Sequence, residues 1–440
     1  MIDSYKLKNR KEYLEKLIGF QDTEPVKIIT GIRRCGKSSL LKLMIAHLKA
    51  TGIADEQIIE MNFENYEFKD MTASDVYHFV KERIIPRRRM YLFFDELQRV
   101  TAWEEAINSF RVELNCDIYV TGSNAWLLSS EYSTYLSGRC VEIKMLPLSF
   151  REFLTFYDFE IRETATVLGK TKKQIVDPSG EHYELRELFD VYIRFGGMPG
   201  ISETGLVQEK ALSLLDGIYS TVVIRDILER EKRRGQKQIT DPTLLRKIIL
   251  FLADNIGNSV SITSIGNTLI NEGLLEEGKR GGNPSVHTVQ AYVNALLESY
   301  FFYEIKRFDI KGKQYLRTLG KYYIVDIGLR NYLLGFRNRD SGHVLENIVF
   351  FELLRRGYDV AIGKVRDSEI DFIAASAKDK KYIQVTESML SPDVRERELE
   401  PLRRIRDNYE KVVLSLEPGL ETSYDGIRSV NLLQWLLEGT

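Results

Sequence analysis

Cysteine is scarce in this 440-residue sequence, occurring only as Cys35, Cys116 and Cys140. Three scattered thiols frame no disulfide scaffold, and the five histidines do not cluster with them at zinc-ligand spacing. A reducing, cytoplasmic compartment is the expectation. Long apolar runs are missing too: no stretch approaches the roughly 20 residues that cross a bilayer. The opening MIDSYKLKNR has neither the apolar core nor the small-residue cleavage site of a signal peptide. Charge of one sign is also lacking, with 62 basic residues against 64 acidic ones and a formal net charge of −2. Any nucleic-acid or membrane partner must therefore be argued from local patches.

A 43% hydrophobic and 29% charged composition is that of a globular protein. The length exceeds one ordinary core and suggests roughly two to four domains. In the first 160 residues, apolar runs of strand length (VKIIT at 26–30, IIEMNFEN at 58–65, RMYLFFDE at 89–96, CDIYVTGSN at 116–124) alternate with helical segments. After VKIIT, the residues Leu40, Leu41, Met44, Ile45 and Leu48 recur every three to four positions on one helix face. This alternation predicts an α/β domain with a parallel sheet covered on both faces, its ligand at the carboxyl ends of the strands.

The chemistry is carried by Gly31-Ile32-Arg33-Arg34-Cys35-Gly36-Lys37-Ser38, with Ser39 following, which matches G-x-x-x-x-G-K-[ST]. Glycines let the backbone wrap a phosphate and aim N–H groups at it, and the helix starting near Lys37 adds its dipole. The pattern assigns Lys37 to the β- and γ-phosphates and Ser38 to magnesium, so the expected ligands are ATP and Mg2+. The apolar strand YLFF ends in Asp95-Glu96, and buried carboxylates require a partner. Asp95 is the candidate metal ligand and Glu96 the candidate base that polarises the attacking water. Thr121-Gly-Ser-Asn124 ends the next strand. There Asn124 is a candidate contact to the γ-phosphate or lytic water, and an ordinary turn is the alternative. Arg139 is either a transition-state cation, acting in cis or from a neighbouring subunit, or a plain surface arginine. Cys35 occupies a variable position of the motif.

GIRRCGKSSLL, YLFFDELQRV, YVTGSNAWLLSSEYSTYLSGR and PLSFREFL together resemble the prokaryotic AAA-type (AAA_14-like) ATPases with a C-terminal DUF4143 region. FGGMPG (195–200) and YYIVDIGLRNYLLG (322–335) match its later part. The resemblance implies an ASCE-type P-loop core related to archaeal and STAND ATPases, followed by a winged helix and a restriction-endonuclease-like end. It also implies that the element at Gly197–Pro199 couples nucleotide state to the winged helix.

Residues 243–326 read as three helices followed by two aromatic-rich strands, the order of a winged helix-turn-helix. His287, Thr288 and Gln290 lie on the third helix. Lys306, Arg307, Lys311, Lys313, Arg317 and Lys321 lie on or around the hairpin. Basic side chains among Tyr and Phe suit phosphate contacts, so DNA is a candidate partner, and a protein contact is the alternative. In the tail, Glu346, Asp371 and the strand Ile383-Gln384-Val385-Thr386 fall where a restriction-endonuclease-like site would carry Asp and Glu-x-Lys. Gln384 is a weak ligand for a hard cation and Thr386 brings no charge, so the expectation is a nuclease fold without nuclease activity.

The expected organisation is a P-loop domain at 1–160, a helical linker region at 161–240, a winged helix at 241–335 and a nuclease-like domain at 336–440. The expected function is Mg-dependent ATP hydrolysis coupled to conformational change, acting with DNA. The alternative is a STAND-like switch that oligomerises and recruits a protein partner.

Overall fold

The computed structural model describes residues 7–125, 138–165, 171–228, 239–271, 285–312, 314–337, 340–419 and 421–438. The chain divides into two units. The first comprises residues 1–147 with Glu298–Tyr300, and the second comprises 148–297 with 301–440.

In the first unit, helix α1 (Lys11–Gly19) precedes strand β1 (Val26–Thr30) and helix α2 (Lys37–Ala50). Then come β2 (Ile58–Asn62), α3 (Ala73–Lys81), β3 (Met90–Asp95), α4 (Trp103–Glu113), β4 (Cys116–Gly122) and β5 (Cys140–Lys144). The strands form a parallel sheet in the order β2-β3-β4-β1-β5. β1 and β3 are buried along their whole length, as covered strands of a parallel sheet must be. Ile59, Met61, Phe94, Ile107 and Phe110 build the core on one side. Thr72 and Asp75 close a capping box that starts α3. β4 lies between β1 and β3, which places its last residues between the loop after β1 and the carboxylates after β3.

The second unit opens with α5 (Phe150–Phe156), entered through a Ser149–Glu152 capping box. A small antiparallel sheet follows, β6 (Glu160–Ala165), β7 (Thr171–Val176) and β8 (His182–Tyr183). Next are α6 (Leu185–Phe195), α7 (Gln208–Ser220), α8 (Pro242–Asp254), β9 (Ser259–Val260), α9 (Ile262–Asn271) and α10 (Val286–Glu298). β10 (Phe302–Asp309), β11 (Gln314–Ile324), α11 (Ile327–Leu334), α12 (Ser341–Arg355), β12 (Asp359–Val365), β13 (Ser368–Ala375) and β14 (Lys380–Ser388) continue the chain. It ends with α13 (Pro392–Arg403), β15 (Glu410–Glu417), β16 (Ser423–Tyr424), β17 (Ile427–Asn431) and α14 (Leu432–Leu437).

Three differences from the expected organisation have physical causes. LSFREFL begins the second unit at Leu148, whose N–H donates to Gly197 O at 2.6 Å and whose carbonyl accepts from Tyr192 Oη at 2.9 Å. The polar stretch after 160 forms the β6-β7-β8 meander within the region expected to be helical or linker. The hairpin is not a free wing, since β10 pairs in parallel with β12 inside one nine-stranded sheet, β16-β17-β15-β14-β13-β12-β10-β11-β9. The expected boundary at 335/336 therefore falls between strands of a single sheet.

The glycine motif and the second motif of the resemblance interlock. Asp326 caps α11, accepting from Leu329 N at 3.0 Å, and its other oxygen accepts from Gly197 N at 2.6 Å. A Cβ on Gly196 would lie 2.2 Å from the Asp326 carboxylate, and one on Gly328 would lie 2.1 Å from Phe195 O. Only glycine permits that approach.

Candidate nucleotide site

The loop after β1 is shaped by its glycines. Gly31 has φ +142°, and a Cβ there would lie 2.1 Å from Met145 O. Gly36 has φ +105° and forms the N-cap of α2. No acidic residue occupies the first turn of α2, so its N–H groups and dipole face an anion unopposed. Lys37 is buried, its Nζ 2.9 Å from Gly31 O and 3.1 Å from Ile32 O, which holds the ammonium over the loop. Ser38 and Ser39 are exposed at the helix start, as is Arg34, which takes a left-handed φ of 62°.

The loop is braced from outside by residues whose sequence carried no signal. Arg10 donates to Cys35 O at 3.0 Å and to Leu146 O at 3.1 Å, and Leu146 N donates to Tyr13 Oη at 3.1 Å. Cys35 itself is buried, and desolvation pushes its thiol above the ordinary range. That environment opposes the thiolate an oxidation-sensitive position would need.

Asp95 and Glu96 are buried at the end of β3. Thr121 joins them: its hydroxyl donates to Asp95 Oδ1 and accepts from Glu96 N at 2.9 Å. Asn62, at the end of β2, donates to Asp95 Oδ2 at 3.0 Å. Burial raises the Asp95 carboxyl above its usual range, hydrogen bonds from Thr121 and Ser38 oppose the rise, and Glu96 next door adds to it. Glu96 sits in the left-handed region at φ 57°, a backbone strain often found where function fixes a side chain. Its carboxylate accepts from Gln98 Nε2 and from Ser123 Oγ at 3.2 Å, and Arg33 lies 3.9 Å away.

The site thus brings together the loop, Ser38, Asp95 and Glu96. Thr121 and Ser123 serve the two carboxylates, and Asn124 is buried two residues past β4. Arg139 is not brought to this site. It is exposed just before β5, where its carbonyl accepts from Val26 N at 2.9 Å at the opposite end of the sheet. Thr30 lies four residue steps further along β1, about 13 Å along the sheet. This excludes action in cis at its own loop.

The donor set fits magnesium and a triphosphate. Ser38 and Asp95 offer hard oxygens, few protein ligands suffice for this ion, and Gly31 and Gly36 let the loop wrap tightly where a Cβ would press on Met145.

The basic residues of the second unit fare differently. Lys306, Lys311 and His287 are exposed, and Thr288 and Gln290 are half-buried. Lys313 and the Arg317 side chain lie outside the described residues. Lys321 is buried, with Nζ 2.7 Å from Glu369 and 3.4 Å from Glu346, and Arg307 lies 3.7 Å from Glu369. Neither is a surface cation, because β11 turns Lys321 onto α12. The same cluster contains the tail residues of interest. Tyr323 Oη donates to Glu346 at 2.8 Å, Val385 N to Asp371 Oδ2 at 2.8 Å, and Asp371 N to Gln384 Oε1 at 2.8 Å. Thr386 is buried nearby on β14. Burial, then the neighbouring Glu346, raise the Asp371 carboxyl well above the usual range. Burial opposes the Lys321 charge, but Glu346, Asp371 and Glu369 together outweigh it and hold the ammonium above its ordinary range. Among the described residues, no three His, Cys, Asp or Glu side chains are arranged to hold a metal ion, and no helix is long and apolar enough to cross a membrane.

Comparison with known proteins identifies an AAA domain (AAA_14) over residues 23–154 and a domain of unknown function (DUF8612) over 186–340. The matched model in the second half is therefore not the DUF4143 region that the motifs resemble. An uncharacterized protein of Haemophilus influenzae is 38% identical over 434 residues, 98% of each chain. One from Methanocaldococcus jannaschii is 29% identical over 400 residues, covering 89% of this chain and 79% of that one. Among solved structures, a Walker-type ATPase of Pyrococcus abyssi aligns with a TM-score of 0.47 and 16% identity, over 74% of this chain and 95% of that one. The Aeropyrum pernix Orc1 protein in complex with DNA aligns with a TM-score of 0.30 and 14% identity, over 74% and 92%.

Proposed function

This chain belongs to one family with the uncharacterized Haemophilus influenzae protein and carries an AAA domain of its own, and from that premise we propose that it is a magnesium-dependent ATPase. The observation that carries the reading is the meeting of Ser38 with Asp95 at the head of α2, with Glu96 alongside. The amides of residues 31–38 would donate to phosphate oxygens and Lys37 would neutralise the β- and γ-phosphates. Ser38 and Asp95 would hold magnesium, which supplies charge neutralisation of the phosphates when bound. Glu96, oriented by Ser123 and Gln98, would take up the proton of the attacking water. Thr121 would keep the two carboxylates in fixed relation. Any role for Arg139 is one toward a neighbouring copy.

The use of the ATP has two readings, a DNA-directed machine and a switch that recruits a protein. The pairing of β10 with β12 and the neutralisation of Lys321 and Arg307 favour the protein-facing switch. DNA that raises turnover would reverse that preference. The primary test is phosphate release from ATP and magnesium by the full chain and by Lys37→Ala. Release by the wild type that the variant lacks is expected. Equal release from both would refute the assignment.

A further inference from the structure

Arg33 occupies a variable position of the loop, yet its side chain is among the most constrained there. The side chain is 13% exposed and its guanidinium lies between two carboxylates, Nη1 3.5 Å from Glu64 and Nη2 3.9 Å from Glu96. Glu64 stands just past β2 and also pairs with Arg99 at 2.7 Å. Two cations and two anions thus form a neutral quartet across the strand ends, and the only member carried by the phosphate loop is Arg33.

Resting on the ATPase reading above, we propose that Arg33 is a positioning residue that reads the terminal phosphate of a nucleoside triphosphate and thereby sets Glu96 free. A separation of 3.9 Å is a loose ion pair, well beyond the roughly 2.7–2.9 Å of a charge-assisted hydrogen bond. A terminal phosphate carries more charge than a carboxylate and accepts the guanidinium fork with two oxygens, so it outcompetes Glu96. Glu96 keeps Gln98 and Ser123, which leave its carboxylate oriented once the arginine moves. A diphosphate lacks the group that draws Arg33 away, and this gives the loop its discrimination between ATP and its product.

The test is equilibrium binding of fluorescent ATP and ADP analogues to the full-length wild type, Arg33→Gln and Arg33→Lys. The expected result is that Arg33→Gln loses about 10-fold in triphosphate affinity, one charge-assisted contact, with the diphosphate affected far less. Arg33→Lys should recover part of the loss, because it keeps the charge but not the fork. It also guards against a folding defect, since a merely structural arginine would alter both nucleotides alike. Equal losses for ATP and ADP, or none for either, overturn the inference alone. A wild type that binds neither nucleotide overturns the ATPase reading and this inference with it.

Discussion

Replacing Asp326 with asparagine tests how a buried carboxylate knots the two motifs of the second unit. Two effects oppose each other at this site. Burial disfavours the charged form, whereas the N–H groups of Gly197, Leu329 and Gly328 favour it. Burial wins, and the carboxyl is raised from 3.8 to about 6. The folded form therefore binds a proton more tightly than the unfolded chain, and its contribution is fully present below pH ~4 and lost as pH rises through ~6. A gap of about two units corresponds to about 3 kcal/mol, of which about 2 kcal/mol falls between pH 4.5 and 7. Urea midpoints of wild type and Asp326→Asn, compared across that range, cancel the titration of all other groups. The wild type should lose about 2 kcal/mol relative to the variant as pH rises. A difference that is flat, or that grows in favour of the wild type, would mean the three donors outweigh burial and would refute the reasoning.

Three further outcomes follow from the geometry. Gly31→Ala should abolish nucleotide binding in a fluorescent-ATP titration, because its Cβ meets Met145 O at 2.1 Å; binding within a few-fold of wild type would contradict the loop geometry. The Lys27–Asp117 ion pair between β1 and β4 is fully buried, so Asp117→Ala, which takes the carboxylate from the ammonium and leaves it only Thr23 O, should cost about 3–5 kcal/mol in denaturant unfolding. Incubation of plasmid DNA with Mg2+ or Mn2+ should give no cleavage, since the carboxylates near Asp371 are committed to Lys321, Tyr323 and backbone; cleavage that Asp371→Ala removes would show an active site there.

The legible parts were those whose residues act locally. Gly31–Ser38 and the strand ending Asp95-Glu96 announce themselves because phosphate binding and buried carboxylates tolerate few residue types. The three helices from 242 to 298 and the hairpin after them follow from periodicity. What escaped depends on distant pairing. CVEIK, which forms β5, is an edge strand with only Ile143 buried, so its pattern carries little apolar signal. Missing that strand left the level of Arg139 in the sheet unknown. The role of Thr121 was hidden because its bond to Asp95 crosses from one strand to the next. Lys321 looked like a wing cation because nothing local shows that β10 pairs with β12 and that β11 turns toward Glu346. Arg33 was hidden by its variable motif position, and its partners Glu64 and Glu96 come from two other strand ends.

Glu96→Gln separates nucleotide binding from hydrolysis at this site. ATP affinity and phosphate release would be measured side by side on this variant and the wild type. The variant should still bind ATP while turnover falls about 10²- to 10⁴-fold, the usual contribution of a general base. Turnover close to that of the wild type would contradict it.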